Sequence, residues 1–242
     1  MRLPVVRGVI DRRILVNYRV DPDVVARTLP PPFRPKLHRG YGFVGICLIR
    51  LRAARPRFLP AWLGFTSENA AHRTAVEWDE GDQVREGVYV RRRDTSSWLN
   101  TLAGGRVFPG LQSHAQFTVR ESGGHFEVAL KSDDGVTSLA VIGDVAADLP
   151  VGSVFGSLGE ASAFFRAGAI GYSAMPDPRR FQGMELRCDR WAVEPLTVSE
   201  VRSSCFDDVA VFPAGSITFD CALLMRGIDH EWHGRADICC QA

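Results

Sequence analysis

An arginine-rich segment at residues 87–97, GVYVRRRDTSS, is the part of the sequence best suited to binding chemistry. Its alternation is typical of a β-strand, which places Arg92 and Asp94 on one face and Arg91 and Arg93 on the other. Whichever face is buried, at least one arginine is buried with it, and a buried guanidinium needs a carboxylate or an anionic ligand. The segment predicts either a structural arginine–aspartate pair or an anion clamp for a carboxylate substrate.

A second polar cluster lies at residues 67–73, SENAAHR. In a strand, Glu68 and His72 share one face, while Asn69 and Arg73 share the other. The two alanines between them leave room for a ligand in the interior of a barrel. A glutamate and a histidine on one face are suited to act as acid and base. The alternative is a buried pair that satisfies itself, or a solvated face.

Other patterns for catalysis or metal binding are weak. The histidines of residues 229–233, DHEWH, are three positions apart rather than the four of a zinc-binding H-E-x-x-H motif, so we expect no metal and no cofactor. None of the 6 cysteines forms a C-x-x-C pair, and no G-x-S-x-G nucleophile motif is present.

Charge and hydropathy limit the possible partners. The chain has 29 basic and 28 acidic residues, so no basic field indicates nucleic acid binding. We expect no membrane partner, because no apolar run approaches the length of a membrane span, and the N-terminus lacks the apolar core of a signal peptide. A cytoplasmic location with free thiols is the expectation.

The elements that must position these residues are mostly strands. Aspartate and serine N-caps and glycine or proline stops indicate three short helices, at residues 21–29, 96–103 and 158–167. Hairpin signals at residues 121–124 and 132–135 separate neighbouring strands. About ten strands without a linker predict one domain over residues 1–242, an antiparallel sandwich or closed barrel. The predicted strands cover residues 13–19, 42–51, 70–78, 87–93, 113–120, 126–131, 136–145, 184–193, 196–202 and 216–226.

Several stretches together resemble the domain-of-unknown-function family 2071 (YqjF-like), of the acetoacetate decarboxylase-like superfamily. The resemblance runs from about residue 10 to 235 and implies an α+β, mostly antiparallel β fold: a barrel or cone with a few short helices and an interior small-molecule cavity. It also implies a homo-oligomer. The stretches are residues 16–23 (VNYRVDPD), 29–33 (LPPPF), 67–73 (SENAAHR), 92–97 (RRDTSS), 171–173 (GYS), 223–226 (LLMR) and 230–232 (HEW).

The resemblance breaks at the residue central to decarboxylation. The decarboxylases use a lysine that forms a Schiff base, in a motif to which residues 93–101 correspond, and the two lysine positions fall on Asn100 and Thr101. The only lysines of the chain, Lys36 and Lys131, lie in or next to turns, where solvated side chains are expected. Arginine cannot replace a Schiff-base amine, because it does not lose its proton.

The leading hypothesis is therefore an enzyme that acts on a small carboxylate or carbonyl compound without a Schiff base, as a lyase, isomerase or cyclase. Arg92 or Arg93 holds an anionic group or polarises a carbonyl, and Asp94, Glu68 or His72 moves a proton. The alternatives are a non-catalytic binding or sensing barrel, and a structural protein whose interior has no cavity above about 300 Å³. The expected substrate-binding residues are Arg92, Asn100, Asn69, Tyr18 and Ser96.

Overall fold

The computed structural model describes residues 4–103 and 110–239, apart from the side chains of Asn100, Leu102 and Ala103. Three α-helices lie in this part of the chain: α1 (Pro22–Ala26), α2 (Trp98–Ala103) and α3 (Leu158–Arg166). Two 3₁₀ turns cover Ala61–Leu63 and Ala167–Ala169. The strands of the described residues are β1 (Val6–Val20), β2 (Arg34–Pro35), β3 (Leu37–His38), β4 (Tyr41–Pro56), β5 (Phe65–Glu80), β6 (Gln83–Thr95), β7 (Gln112–Ser122), β8 (His125–Ser132), β9 (Ser138–Val145), β10 (Ile170–Ala174), β11 (Arg180–Cys188), β12 (Glu194–Ser203), β13 (Ile217–Gly234) and β14 (Ile238–Cys239).

The strand pairings close the sheet into two rings that share the five strands β13, β1, β4, β5 and β6. In the larger ring, β7, β8, β9 and β12 connect β6 back to β13. In the smaller ring, β10 and β11 make the same connection on the other side. Neighbours are antiparallel except for the parallel pairs of β6 with β7 and with β10. The predicted α+β, mostly antiparallel fold is thus confirmed, with two rings in place of one closed barrel.

The shared strands are buried on both faces, which explains why the sequence of β4 is a nearly continuous apolar run. Because side chains alternate along a strand, Ile46 and Leu48 point into the larger ring and pack in its hydrophobic core. Cys47 and Ile49 point the other way and line a cavity inside the smaller ring. A hydrophobic core therefore fills the larger ring, and the cavity described below lies in the smaller ring.

Helices α1 and α3 begin at the caps that the sequence predicts. The Asp21 carboxylate accepts hydrogen bonds from the backbone N–H groups of residues 23 and 24, and Pro22 occupies the first turn of α1. The Ser157 hydroxyl accepts from the N–H of Glu160 at the start of α3. Helix α3 then buries Phe165 against the arginine-lined end of the smaller ring. No helix in the described ranges is long and apolar enough to cross a membrane.

Candidate functional site

A cavity of about 100 Å³ lies inside the smaller ring. Strands β1, β4, β5, β6, β10, β11 and β13 contribute to its wall, and its apolar part includes Ile10, Ile49, Leu51, Val88, Val90 and Met184. Three arginines from three different strands also line it: Arg13 from β1, Arg73 from β5 and Arg93 from β6. We call this space the arginine cavity. No carboxylate of the described residues forms an ion pair with any of the three guanidinium groups.

Arg13 contacts sulfur and an aromatic ring instead of a carboxylate. Its Nε donates a hydrogen bond to Sγ of Cys47 over 2.9 Å. Its guanidinium carbon lies 5.6 Å from the ring centre of Trp191, a cation–π contact. The side chain is buried, and its second polar neighbour is Sδ of Met225, at 3.9 Å. A cation in these surroundings lacks a counter-ion.

Arg73 is equally buried and is held by an amide. Its Nη2 donates to Oδ1 of Asn17 over 2.5 Å, while its Nε is buried without a hydrogen-bond partner. The Asn17 amide is itself fixed by bonds to the carbonyl groups of Leu15 and Cys221. Burial lowers the pKa of Arg73 to about 10, so the side chain remains charged at neutral pH.

Arg93 contacts a hydroxyl group at the edge of the same cavity. Both Nε and Nη2 donate to Oγ of Ser173 on β10, over 3.2 and 3.1 Å. Burial lowers the pKa of Arg93 to about 10 as well. Two buried guanidinium groups and a partly buried third, all without a carboxylate partner, are energetically costly, since buried charges are normally paired. The arrangement fits a site that receives an anion.

A β-bulge at Arg91 decides which arginine of the β6 segment enters the cavity. The register between β5 and β6 shifts there: His72 pairs with Arg92, but Arg73 pairs with Val90. Beyond the bulge the side chains exchange faces, so Arg93 joins Val88 on the cavity side. The strict alternation predicted from sequence, which placed Arg92 and not Arg93 on the face of Val88, is wrong for this reason.

Arg92 and Asp94 form the arginine–aspartate pair that the sequence left as an alternative. Arg92 Nη2 donates to Oδ1 of Asp94 over 2.8 Å and to the carboxylate of Asp134 over 2.9 Å. Asp94 is fully buried and borders the arginine cavity. Burial raises its pKa, while the Arg92 hydrogen bond opposes that rise.

Glu68 lies outside the arginine cavity. Its carboxylate bonds Arg12, whose side chain is only 2% exposed, and accepts from Nε of Arg50 over 2.6 Å. Both arginines also bond Glu121 at the end of β7. This network ties β1, β4 and β5 to β7. Ser96 assists locally, because its Oγ accepts from the backbone N–H of Glu68.

His72 and Tyr18 also lie on the face away from the arginine cavity. His72 is buried against Phe206, with a ring-centre distance of 6.0 Å, and neither ring nitrogen has a hydrogen-bond partner. Burial, aided by the positive charges of Arg91 and Arg92, lowers its pKa to about 4. Tyr18 packs on the same Phe206 in the core of the larger ring, and burial raises the pKa of its phenol.

Two of the predicted site residues remain to be placed, Asn69 and Asn100. Asn69 lines the cavity, and its Nδ2 donates to Oγ of Ser67 over 2.9 Å. The Asn100 side chain lies outside the described residues. Neither lysine lines the cavity: Lys36 pairs with Glu86 over 2.7 Å, and Lys131 is exposed on β8. The described residues also hold no cluster of three metal-ligating side chains.

Sequence reasoning missed Arg13 and Cys47 altogether, and it treated Arg73 only as a neighbour of the predicted acid–base face. The available signal was a charged residue inside an apolar alternation, as in residues 13–18 (RILVNY), where Arg13 shares a face with Leu15 and Asn17. Strand β10 was also missed. It is five residues long and carries a glycine, which is a weak strand signal.

The sequence profile of the DUF2071 family of uncharacterized conserved proteins matches residues 10–219. No match is found among curated proteins. Among solved structures, acetoacetate decarboxylase from Legionella pneumophila is similar, with a TM-score of 0.62 and 12% identity over 97% of this chain and 88% of that one.

Two further structures have the same fold. The enduracididine biosynthesis enzyme MppR, complexed with a condensation product of pyruvate and imidazole 4-carboxaldehyde, gives a TM-score of 0.61 and 14% identity, covering 99% of this chain and 90% of its own. An acetoacetate decarboxylase-like enzyme from Sphingomonas wittichii gives 0.56 and 10%, covering 99% and 93%. At these identities the likeness establishes the fold.

Proposed function

The chain belongs to the DUF2071 family and has the acetoacetate decarboxylase-like fold, and we propose that it is an enzyme that binds a small carboxylate with a carbonyl group in the arginine cavity. The observation that carries the proposal is the set of three guanidinium groups without a carboxylate partner: those of Arg13 and Arg73 are buried, and that of Arg93 is partly buried. Guanidinium groups bind carboxylates through charge-assisted, often bidentate hydrogen bonds. A bound carboxylate supplies the missing counter-charge.

The cavity volume limits the substrate to a few carbon atoms. A cavity of about 150 Å³ holds one benzene molecule, so the 100 Å³ found here fits an acid about the size of pyruvate. This volume is below the range of about 300–1,000 Å³ of typical ligand pockets, and volume alone favours a structural role. The unpaired charges argue against a structural role, because a purely structural interior gains no stability from three unpaired cations.

The proposed chemistry is electrostatic. Arg13 and Arg73 orient the substrate carboxylate, and Arg93 stabilises the negative charge that develops on the carbonyl oxygen. A Schiff base is not part of the mechanism, because neither Lys36 nor Lys131 lines the cavity. Asp94 is the carboxyl group that we assign as proton carrier, because it borders the cavity and burial raises its pKa. The stabilisation by Arg93 serves any lyase, isomerase or cyclase reaction that passes through an enolate-like intermediate.

Glu68 and His72 have no part in this mechanism. Glu68 is bonded to Arg12 and Arg50, and His72 lies on the opposite face of β5. One observation favours the second candidate, a non-catalytic binding or sensing protein: both oxygens of the Asp94 carboxylate are engaged by Arg92. A binder needs the arginines but needs no proton carrier.

Incubation of the protein with short 2-oxo and 3-oxo acids, followed by NMR of the products, separates the two candidates. An enzyme converts at least one acid, and the Arg93→Gln variant loses that conversion. A binder returns every acid unchanged while Arg93→Gln still weakens binding. Borohydride treatment during turnover is expected to leave the protein mass unaltered, and a reduced adduct on Lys36 or Lys131 would contradict the mechanism.

A further inference from the structure

Cys47 lies in the wall of the arginine cavity, in contact with one of its cations. Its Sγ accepts a hydrogen bond from Nε of Arg13 over 2.9 Å. In the β4–β5–β6 register, Cys47 pairs with Ala71, and Ala71 pairs with Arg93. Directly paired residues share a face of the sheet, so the thiol and the Arg93 side chain flank the small alanine. Ala71 thereby leaves space between a sulfur atom and a guanidinium group.

A second observation shows that this space is adapted to a ligand. Arg73, which is 7% exposed, lines the same cavity, and its Nε is buried without a partner. In the described residues, neither the thiol nor the three guanidinium groups form a hydrogen bond or ion pair with a carboxylate. Reactive cysteines characteristically occur beside cationic side chains, which stabilise the negative charge on sulfur as it attacks.

None of the other described cysteines lines the arginine cavity. Cys221 is buried in an apolar cluster, and burial raises the pKa of its thiol. Cys205 accepts a hydrogen bond from Nη2 of Arg91 over 2.7 Å, but it lies outside the arginine cavity and burial raises the pKa of its thiol also. Cys205 is therefore a comparator that contacts an arginine but does not line the arginine cavity.

We propose that Cys47 is a nucleophile that bonds covalently to the electrophilic carbon of a small carboxylate bound by the three arginines. The inference rests on the proposed function and adds a covalent step to it. With a 2-oxo acid, sulfur attacks the carbonyl carbon and an S–C bond forms. The π pair of the C=O bond moves to oxygen, which takes up the thiol proton to give a hemithioketal. Arg93 stabilises the oxygen while it is negative.

The test compares two alkylating agents of nearly equal size and different charge, iodoacetate and iodoacetamide. In each reaction an S–C bond forms, iodide leaves and the thiol proton goes to solvent. Peptide mass spectrometry gives the rate at Cys47 and at Cys205 in the same sample. We expect the iodoacetate-to-iodoacetamide rate ratio at Cys47 to exceed that at Cys205 by about tenfold or more, the effect of ~1.4 kcal/mol of preferential anion binding. The Arg93→Gln variant should lower the ratio at Cys47 and leave that at Cys205 unchanged, because Arg93 lines the arginine cavity and Cys205 does not.

Calorimetric titration of pyruvate into the unlabelled protein separates failure of this inference from failure of the proposed function. Pyruvate binding with equal rate ratios at Cys47 and Cys205, or with Cys47 as inert as Cys221, overturns the covalent role and leaves the proposed function standing. Selective iodoacetate labelling of Cys47 that excess pyruvate suppresses supports both. Selective labelling without pyruvate binding or protection supports the reactive thiol and contradicts the 2-oxo acid as ligand.

Discussion

Arg92 and Arg93 are consecutive on β6, yet Arg92 bonds two carboxylates and Arg93 bonds none. Arg92 contacts Asp94 and Asp134, whereas the polar contact of the Arg93 guanidinium is the hydroxyl of Ser173. The bulge at Arg91 produces the difference, because it turns Arg93 into the cavity that Arg13 and Arg73 also enter. One segment of sequence thus supplies both a structural ion pair and a cation available to a ligand.

Replacement of Arg13 by methionine is expected to stabilise the unliganded protein. The change removes a buried cation whose hydrogen-bond partners are the sulfur atoms of Cys47 and Met225, so no oxygen acceptor loses its donor, and methionine is similar in length and apolar. We expect a gain of about 1 kcal/mol in the free energy of unfolding, measured by urea denaturation, together with at least tenfold weaker carboxylate binding. Arg92→Met is the matched control and should lose stability, since it leaves Asp94 buried without its partner. A destabilised Arg13→Met protein would contradict the idea that this charge serves a ligand.

The Glu68→Gln variant distinguishes a structural from a catalytic glutamate. It should lose roughly 2–3 kcal/mol of stability, because Arg12 is buried and retains only Glu121 as a carboxylate partner. Glu200→Gln breaks the solvent-exposed pair with Arg202 and should change stability little. Unaltered stability with lost turnover in Glu68→Gln would restore the glutamate to the mechanism.

The buried histidines His72 and His230 make the protein sensitive to acid. Burial lowers the pKa of both to about 4, from an ordinary value of 6.5. Between these values the unfolded chain binds protons that the folded protein does not, so stability falls as the pH drops from about 6.5 to about 4. Each histidine contributes at most ~3 kcal/mol to this loss.

The His72→Phe variant, which has no titrating ring nitrogen, tests this pH dependence. Thermal unfolding between pH 7 and 4 should show a smaller loss of Tm for this variant than for the unaltered protein. Equal losses in the two proteins would show that His72 is not held neutral by burial.

Ala71 sets the size of the arginine cavity, because its side chain lies between Cys47 and Arg93. Leucine at this position fills the space with three further carbon atoms, and it should abolish carboxylate binding while the protein remains folded. Thermal shift with added carboxylate measures the effect: the Tm of the Ala71→Leu variant should not respond. A response equal to that of the unaltered protein would place the ligand elsewhere.

Most of the fold is readable from the sequence because local patterns determine it. The Asp21 and Ser157 caps and the long strands β1, β4 and β5 lie where periodicity and capping predict them. The fold class follows from the number of strands and from the family resemblance. The pairing of β6 with β10, which closes the smaller ring, is not predictable in this way, because it joins segments about eighty residues apart.

The candidate site is only partly predictable. Alternation correctly separates Asn69 and Arg73 from Glu68 and His72, but it does not tell which face borders a cavity. The Arg73 face borders a cavity only because the strands of the smaller ring cover it. The bulge at Arg91 carries no glycine or proline signal, so the cavity position of Arg93 could not be inferred. Arg13 and Cys47 lie in the site because long-range pairing places β1 beside β4 and β4 beside β5.

The most direct test of the account is calorimetric titration of pyruvate and of its uncharged methyl ester into the unaltered protein and the Arg93→Gln variant. The arginine cavity predicts that pyruvate binds the unaltered protein, that the ester binds at least tenfold more weakly, and that Arg93→Gln loses most of the affinity for pyruvate. Equal binding of acid and ester, or equal binding of pyruvate by both proteins, would contradict the claim that the three arginines form a carboxylate site.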